Sequence, residues 1–552
     1  MNIMAGMDRV GRFLSSGRVR AALALVAACL LVGCGLAKAE RQAGAAGETT
    51  GVEETVGVER TANTGPPEHP NVILILTDDL DVDSISHMPN LRSLLIERGT
   101  TFENAFVTDS LCCPSRATIL RGQYAHNHEI LSNEPPHGGS GKFRALGHED
   151  STVATWLKSA GYRTVLFGKY MNGYEGTRVP PGWDDWYAVS GNYTSTRLNE
   201  NGRLVDYDPE QYHLDDVLAQ KATDYVRDPS GNVPSFLLPD KPFFMWLGTK
   251  APHQPADPAP RHADALANVS LPKPPSFDEA DLSDKPDWIR DNPPLSPEQS
   301  SYMEDLYRKR LQSMLAVDEM IGQLTDTLRE SGELDETYIF FTSDNGYHAG
   351  QHRLSVGKWT AYEEDIRVPL IVRGPGVPEG AKLEHLVLNN DLAPTFAELG
   401  GAEAPSFVDG RSLVPLLGAN PPPPDDWRQA FMVEAFPEVA GTPSLADETT
   451  PRLLTGDPWP YEDSRRSSLL ERPSLDDAGR PGLVAVRTAD RLYLEYETGE
   501  SELYDLEKDP YELNNVYEQT ELGQLWRLEE WLDALRECVG EECRAVEDGD
   551  DF

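Results

Sequence analysis

Four short apolar segments constrain the fold of this 552-residue chain more than any other feature of its sequence. They are NVILILTDD (71–79), YRTVLFGK (162–169), PFFMWLGTKAPH (242–253) and YIFFTSDNG (338–346), and each breaks directly into polar residues. Continuous apolar runs of this length are typical of strands that are buried on both faces of a parallel sheet. Because the carboxyl ends of parallel strands meet at one edge of the sheet, we expect the polar residues that follow them to lie together.

A long helix is predicted between the third and fourth segments. Ser296, Pro297 and Gln299 supply an N-cap, a proline at the first helical position and a capping-box glutamine. Apolar residues then recur at helical spacing until Gly332, which can end the helix. Strands that alternate with helices indicate an α/β fold, with a central, mostly parallel mixed sheet flanked by helices.

The C-terminal part of the chain has a different pattern. Residues 432–481 are irregular, charged and interrupted by proline, whereas residues 482–497 alternate like antiparallel strands and residues 522–538 have helical spacing. We therefore expect a large domain over residues 70–431 and a smaller α+β domain over residues 432–552. The irregular insertion at about 432–481 would belong to the smaller domain.

The N-terminus is predicted to be an export signal. An apolar run at 21–32 is too short to span a bilayer comfortably and leads into Leu-Val-Gly-Cys at 31–34. Residues 1–34 resemble a bacterial lipoprotein signal peptide, in which Cys34 is acylated; an ordinary cleaved signal or a short membrane anchor are the alternatives. Residues 35–69 have the composition of a flexible linker. We expect an exported protein, periplasmic or at the cell surface, that a lipid alone anchors to the membrane.

The charge of the chain limits its partners. The net charge of −42, from 49 basic and 91 acidic residues, argues against nucleic acid as a partner. It also repels an anionic substrate at long range, so a site for such a substrate needs local cations. Arg116, Lys169 and Lys358 are candidates for this role, although most lysines are simply solvated.

Residues at the predicted strand ends suggest a metal site. Asp78, Asp79, Asp344 and Asn345 offer oxygen ligands, which favour hard cations such as Ca²⁺ or Mg²⁺, although paired aspartates are as common in caps and turns. His253 could act as a general acid, but a lone histidine in a loop is more often structural. Residue types and spacing alone therefore support only a metal-dependent hydrolase of anionic esters.

The cysteines fall into separate groups. Outside the cytoplasm, Cys538 and Cys543 are expected to form a small disulfide. The neighbouring Cys112 and Cys113 are not expected to pair, because disulfide geometry strains a dipeptide.

The segment that contains Cys112 and Cys113 resembles a family signature. DSLCCPSRATILRGQYAHNH (109–128) resembles the sulfatase motif C-x-P-S-R-x-x-x-L-x-x-G at every defined position. GYRTVLFGKY, SDNG and LYDLEKDPYELNN (503–515) resemble further sulfatase motifs, so the resemblance covers roughly residues 70–517. Within the family, the nearest similarity is to N-acetylglucosamine-6-sulfatases and extracellular heparan sulfate sulfatases. It implies an alkaline phosphatase-like fold and hydrolysis of sulfate esters on a sulfated sugar or glycan, such as N-acetylglucosamine-6-sulfate.

The resemblance also implies roles for individual residues. A formylglycine-generating enzyme would oxidise Cys112 to formylglycine, whose hydrated aldehyde is the nucleophile, while Cys113 has no chemical role. Bound Ca²⁺, with Mg²⁺ possible, would be held by the modified Cys112 and the four strand-end residues Asp78, Asp79, Asp344 and Asn345. Arg116 would contact the hydrate, and Lys169 and Lys358 would contact sulfate oxygens. His253 would assist the departing alcohol, and His348 would bind substrate. Four residues would lie near the sugar: Tyr347, His348, His352 and Trp359.

One position departs from the family pattern, and two other functions remain open. Met171 stands where the family usually has a histidine that is thought to act as the base in regenerating the aldehyde. His126 is our first candidate for that base, followed by His128 and His348. The alternatives to a sulfatase are a phosphomonoester or phosphonate hydrolase of the same superfamily and a tethered glycan-binding pseudosulfatase whose Cys112 is never oxidised.

Overall fold

The computed structural model describes residues 69–228, 241–436 and 480–549. The predicted signal peptide with Cys34, almost all of the predicted linker and most of the predicted irregular insertion lie outside these ranges. Within them, no helix combines the length and the apolar character needed to cross a membrane.

Strands and α-helices alternate along most of the described chain. The strands are β1 Asn71–Asp78, β2 Thr100–Phe102, β3 Ala105–Phe106, β4 Arg163–Gly168, β5 Asp185–Val189, β6 Arg197–Glu200, β7 Arg203–Asp206, β8 Phe243–Pro252, β9 Thr337–Ser343, β10 His348–Ala349, β11 Val356–Gly357, β12 Leu370–Arg373, β13 Ala381–Leu383, β14 Val387–Leu388, β15 Ala430–Ala435, β16 Leu483–Thr488, β17 Arg491–Tyr496 and β18 Ser501–Asp505. The α-helices are α1 Cys112–Arg121, α2 Ala125–His128, α3 Gly139–Ala145, α4 Val153–Ser159, α5 Leu214–Arg227, α6 Asp287–Arg290, α7 Pro297–Ser331, α8 Glu363–Ile366, α9 Leu392–Leu399, α10 Leu522–Glu537 and α11 Glu541–Asp548.

A ten-stranded mixed sheet organises the large domain, with the strand order β13-β2-β12-β9-β1-β8-β4-β5-β6-β7. Strands β9, β1, β8, β4 and β5 are parallel, and β12 and β6 add to them in antiparallel fashion. The four apolar segments of the sequence thus form four adjacent parallel strands, β9-β1-β8-β4. The predicted α/β fold is confirmed.

Helices bury both faces of β1. Val72 and Leu74 pack in a core that includes residues of α1, α4 and α9, whereas Ile73 and Ile75 pack in a core that includes residues of α5 and α7. This burial on two sides explains why β1 is continuously apolar and does not alternate. The predicted helix α7 begins with the Ser296 capping box and ends at Gly332, whose φ of 79° suits glycine.

A four-stranded antiparallel sheet, β15-β16-β17-β18, forms the smaller domain. The strands predicted in residues 482–497 and the helix predicted in residues 522–538 are present as β16, β17 and α10. A disulfide joins Cys538 to Cys543. The buried guanidinium of Arg428 links the segment before α9 to α11, because it pairs with Asp391 at 2.7 Å and with Glu547 of α11 at 2.8 Å.

Candidate functional site

The carboxyl ends of four adjacent parallel strands bring acidic and basic side chains together. Asp78 ends β1, Asp344 follows β9 and Lys169 follows β4. The Asp79 N–H donates to Asp344 Oδ1 at 3.1 Å, and Lys169 Nζ donates to Asp78 Oδ2 at 2.6 Å. His253, after β8, has its Nε2 3.6 Å from Asp79 Oδ2. These residues lie together as the sequence predicts.

Asp79 adopts an unusual backbone conformation at this edge. Its φ of 67° lies in the left-handed region that non-glycine residues rarely adopt. The Arg310 guanidinium donates to the Asp79 carbonyl oxygen. The surrounding contacts therefore hold the Asp79 carboxylate in place against local backbone strain.

Cys112 and Cys113 have different surroundings. Cys112 is the first residue of α1 and is 0% exposed, and its Sγ lies 3.4 Å from Asp78 Oδ1 and 2.7 Å from Lys358 Nζ. Cys113 packs in the apolar core between the sheet and α1. The structure thus places Cys112 among charged groups and leaves Cys113 among apolar ones.

Three cations face the three strand-end carboxylates. Arg116 donates from Nε to Asp344 Oδ2 at 2.7 Å and from Nη1 to the Lys169 carbonyl oxygen at 3.0 Å. Lys358 Nζ donates to Asp79 Oδ1 at 2.6 Å. We use the name strand-end cluster for Asp78, Asp79, Cys112, Arg116, Lys169, Asp344 and Lys358. It supplies the local cations that the acidic chain needs to hold an anion.

These cations decide the ionisation of the buried aspartates. Burial alone would raise the pKa of Asp78 and Asp79, but the charges of Lys169 on Asp78 and of Lys358 on Asp79 hold each pKa below its usual range. Burial, followed by the negative charge of Asp78, raises the pKa of Asp344. The two aspartates next to Cys112 are therefore ionised at neutral pH.

The strand-end residues fit a hard divalent cation. The Asn345 amide nitrogen donates to Asp79 Oδ1 and to the Gly346 carbonyl oxygen, both at 2.8 Å, which leaves Asn345 Oδ1 buried and without a hydrogen-bond partner. Ligand atoms of Asp78, Asp79, Cys112 and His253 also lie within 4.8 Å of one another. The carboxylate and amide oxygens of Asp78, Asp79 and Asn345 suit Ca²⁺ or Mg²⁺, whereas the Cys112 sulfur and the His253 nitrogen are not ligands of that kind.

Tyr193 is a member of the site that the sequence did not reveal. Its hydroxyl accepts a hydrogen bond from Lys169 Nζ and lies 3.8 Å from Cys112 Sγ, and its ring stacks on His253 with centroids 3.6 Å apart. Lys250 of β8 holds this loop by donating to the carbonyl oxygens of Tyr193 and Ser195. An aromatic residue within the polar segment SGNYTSTR (190–197) is the only sequence signal for it.

The histidines proposed as bases contact other groups. His126 Nδ1 lies 3.2 Å from Glu434 Oε1, and its Nε2 lies 3.2 Å from the Cys538 carbonyl oxygen. Both ring nitrogens of His128 are also engaged, with the Thr118 hydroxyl at 3.0 Å and the Ile130 N–H at 3.1 Å. Both rings are thus engaged by groups outside the strand-end cluster, which argues against either of them as the base.

The predicted sugar-side residues divide into two groups. His348 pairs with Gly357 across the β10–β11 ribbon, beside Lys358, and its Nδ1 lies 2.9 Å from Asp365. Tyr347 and Trp359 are each 8% exposed. His352 is 0% exposed and His348 is 2% exposed, and the contact that sets His352 apart is its Nδ1 at 2.6 Å from Glu279. His352 also has a left-handed φ of 51°, and its position near the sugar stays a prediction.

Known proteins resemble this chain along most of its length. The sulfatase family model matches residues 70–402. An N-acetylglucosamine-6-sulfatase of Homo sapiens is 35% identical over 499 residues, which cover 86% of each chain. An extracellular sulfatase of Drosophila melanogaster is 38% identical over 383 residues, which cover 68% of this chain and 34% of that protein. Among solved structures, a protein in complex with its substrate D-glucosamine-2-N,6-O-disulfate has a TM-score of 0.66 and 24% identity, covering 88% of this chain and 100% of the other.

Proposed function

The chain belongs to the sulfatase family and is a sulfuric ester hydrolase, and from this premise we propose that its nucleophile is formylglycine made from Cys112, that its metal ion is Ca²⁺ and that its substrate is a 6-sulfated glucosamine unit of a glycan. The observation that carries the proposal is the strand-end cluster. It gathers Cys112, three carboxylates and three cations at the edge of the sheet where α/β proteins bind their ligands.

The metal and the modified residue have defined places in this proposal. Asp78, Asp79, Asp344 and Asn345 would hold the ion next to residue 112. There, Ca²⁺ supplies charge that polarises a sulfate oxygen, and formylglycine supplies a hydrated aldehyde as the nucleophile. The lone buried Asn345 Oδ1 supports this assignment, because an amide oxygen without a donor is suited to a cation.

The cations of the chain hold the sulfate and the geometry of the site. Lys358 Nζ is 2.7 Å from Cys112 Sγ, so it can donate to an oxygen of a sulfate that is attacked at residue 112. Lys169, which follows β4, would donate to the same sulfate. A hydrogen bond to the Tyr193 hydroxyl holds its ammonium group. Arg116 fixes the position of Asp344 and of the Lys169 backbone, and thereby keeps residues from α1, β4 and β9 in register.

In this proposal, His253 protonates the departing alcohol. Its Nδ1 lies 2.7 Å from the Gln254 carbonyl oxygen, which can only accept, so Nδ1 carries a proton. The other nitrogen, Nε2, faces Asp79. When it is protonated, Nε2 can deliver a proton to the sugar oxygen as the sulfur–oxygen bond breaks.

The surroundings of the site support a sugar substrate. Residues on both sides of Tyr193, including Asn192, Thr194 and Ser195, line an open polar cavity of 440 Å³, although no residue of the strand-end cluster lines it. Hydroxyl and amide groups of this kind can bond the hydroxyls of a glycan. The similarity to the human N-acetylglucosamine-6-sulfatase supports the 6-sulfate of glucosamine as the group removed.

The proposal extends to export and maturation. The similarity to an extracellular sulfatase and the apolar run before Cys34 support an exported lipoprotein, in the periplasm or at the cell surface. A formylglycine-generating enzyme would be its partner before or during export.

Mass spectrometry of the Cys112 peptide tests the nucleophile. Protein from its native host should contain the aldehyde of formylglycine at position 112 and an unchanged thiol at Cys113. An intact thiol at both positions would contradict the proposal and favour the pseudosulfatase.

Turnover measurements test the reaction and the substrate. We expect a higher kcat/KM for nitrophenyl sulfate than for nitrophenyl phosphate, and sulfate release from N-acetylglucosamine-6-sulfate but not from the 3-sulfate isomer. Preference for the phosphate would favour the phosphomonoesterase alternative.

Removal of calcium with a chelator should stop turnover, and added Ca²⁺ should restore it.

A further inference from the structure

A second buried group of acids surrounds His352. His352 lies between β10 and β11, Glu364 lies in α8, and Glu512 follows β18, so three separate segments meet there. One ligand atom from each of these side chains lies within 4.8 Å of the other two. His352 and Glu512 are 0% and 1% exposed, so bulk water does not solvate them. We use the name acidic cluster for Glu279, His352, Glu364 and Glu512.

Three members of the acidic cluster are tied to the protein through one polar atom each. The tying contacts are His352 Nδ1 to Glu279 Oε2 at 2.6 Å, the Ser276 hydroxyl to Glu364 Oε1 at 3.3 Å, and the Glu363 N–H to Glu512 Oε2 at 3.1 Å. Their remaining polar atoms are His352 Nε2, Glu364 Oε2 and Glu512 Oε1, and these are buried without hydrogen-bond partners. Each side chain is thus held at one end and unpaired at the other.

The contact with Glu279 fixes the state of the imidazole. Because a carboxylate accepts, His352 donates from Nδ1 and keeps a lone pair on Nε2. Burial, and then the charge of Lys285, lower the pKa of His352 well below its usual range, so the ring is neutral. Nε2 therefore meets two carboxylate oxygens, which are also acceptors. Buried acceptors that share no donor are unfavourable unless a proton or a cation lies between them.

The local charge also favours a cation. Glu279, Glu364 and Glu512 contribute carboxyl groups, whereas Lys285 directs its ammonium group to the Tyr504 hydroxyl and the Glu512 carbonyl oxygen. A metal ion that binds here would displace any protons that these carboxyl groups hold.

We propose that His352 Nε2, Glu364 Oε2 and Glu512 Oε1 bind a divalent transition-metal ion, and that this ion is Zn²⁺. One imidazole and two carboxylates suit zinc better than Ca²⁺, whose ligands are oxygens only. Glu279 orients the imidazole from its far side, as carboxylates commonly do for metal-bound histidines.

The position of the site gives the ion access and a structural role. Glu364 lines a cavity of 460 Å³ together with Gln351 and Tyr511, so one member of the acidic cluster borders space that solvent can enter. The ion joins the segment of Glu512 to α8 and to the ribbon that carries His348. The ion would therefore connect the segment after β18 of the four-stranded sheet to the β10–β11 ribbon, which Lys358 follows.

Zinc titration of the full chain by calorimetry tests this site. The protein carries Cys112→Ser and is saturated with Ca²⁺, so that neither the Cys112 thiol nor the oxygen ligands near Asp78 take up zinc. We expect one equivalent of Zn²⁺ to bind. Glu364→Gln should weaken this binding by about 100-fold or more, and Glu279→Gln by about 10- to 100-fold.

Glu363→Gln is the matched control. Its side chain lines the same cavity but is paired with Arg487 at 2.8 Å, so zinc affinity should stay within about twofold of that of the parent. If Glu364→Gln fails to fold, as judged by circular dichroism, His352→Gln takes its place. The proposal is overturned if the parent protein binds no zinc, if Glu364→Gln and Glu363→Gln bind it equally, or if anomalous diffraction places the zinc at other residues.

Discussion

The strand-end cluster and the acidic cluster are both buried and rich in carboxylates, but their cations differ. In the first, Lys169, Lys358 and Arg116 each donate to a carboxylate at 2.6 to 2.7 Å. In the second, the imidazole of His352 is neutral and the described contacts of Lys285 go to Tyr504 and to a backbone carbonyl. The pKa of Asp78 falls below its usual range, whereas that of Glu364 rises to about 7.

The difference indicates what each cluster can bind. Asp78 and Asp79, which fixed ammonium groups balance, stay ionised, and the same cations remain able to contact an incoming anion. Acids without such partners hold protons until a cation replaces them. On these two proposals, one chain with a net charge of −42 contains one site that holds an anionic ester beside Ca²⁺ and a second site that holds a metal ion alone.

Loss of the Cys112 side chain should have the largest effect on turnover. Cys112→Ala removes the only nucleophile that the strand-end cluster offers, so kcat for a nitrophenyl sulfate should fall by about 10⁴-fold or more. Cys113→Ala is the matched control, because Cys113 packs in an apolar core, and its kcat should stay within about tenfold. Equal losses in the two variants would remove the distinction between the two cysteines.

Loss of one cation should break the charge balance of the strand-end cluster. Lys358→Ala leaves Asp79 without its closest ammonium group and a sulfate without one donor. We expect kcat to fall by about 10²- to 10³-fold, with the fold preserved by circular dichroism. Lys508→Ala provides the control, because that side chain is 79% exposed and pairs with Asp505 at the surface. A loss below tenfold for Lys358→Ala would argue against direct contact with sulfate.

Asn345 tests whether the strand-end cluster also holds calcium. Asn345→Ala removes the unpaired buried oxygen, and the Ca²⁺ concentration for half-maximal turnover should rise by about 10- to 100-fold. Asn345→Asp keeps an oxygen at the same place and should require less calcium than the alanine variant. Unchanged calcium dependence in Asn345→Ala would exclude this amide as a ligand.

Tyr193→Phe should have a smaller effect. The hydroxyl holds Lys169, a contact that the phenylalanine loses, while stacking on His253 persists. A decrease in kcat of about tenfold or less, at unchanged KM, is expected from the loss of one hydrogen bond to a charged group. A rise in KM without a change in kcat would instead place the hydroxyl in substrate binding.

Selective removal of zinc should affect stability more than chemistry. A zinc chelator, added in the presence of excess Ca²⁺, should lower the Tm by about 2 °C or more, because ligand binding stabilises the folded state. Turnover should change by less than about twofold under the same conditions. Loss of turnover in parallel with zinc would show that the two clusters are not separate.

Local patterns in the sequence predict four central strands of the large sheet and the strand-end residues that follow them. The strands of residues 71–79 and 338–346 end at the same edge, so Asp79 and Asp344 meet although 265 residues separate them. Such convergence follows from parallel pairing alone. The capping box at Ser296 likewise predicts the start of α7 correctly.

The differences between the sequence-based expectations and the structure concern side chains whose partners are distant in sequence. The His126 imidazole contacts Glu434, 308 residues later, and no sequence pattern near His126 predicts that contact. Tyr193 reaches the site because Lys250 holds its loop, and the His352 imidazole contacts Glu279. Tertiary packing sets these contacts, which sequence proximity does not predict.

The complete burial of Cys112 also bears on the order of events during synthesis. Its contact with Lys358 spans 246 residues, so its surroundings close only after most of the chain has emerged from the ribosome. Another enzyme can reach the thiol during that interval, but not after the sheet has assembled over it. If Cys112 becomes formylglycine as proposed, a molecule that folds before oxidation would retain its thiol, so the yield of active protein should depend on the relative rates of maturation and folding.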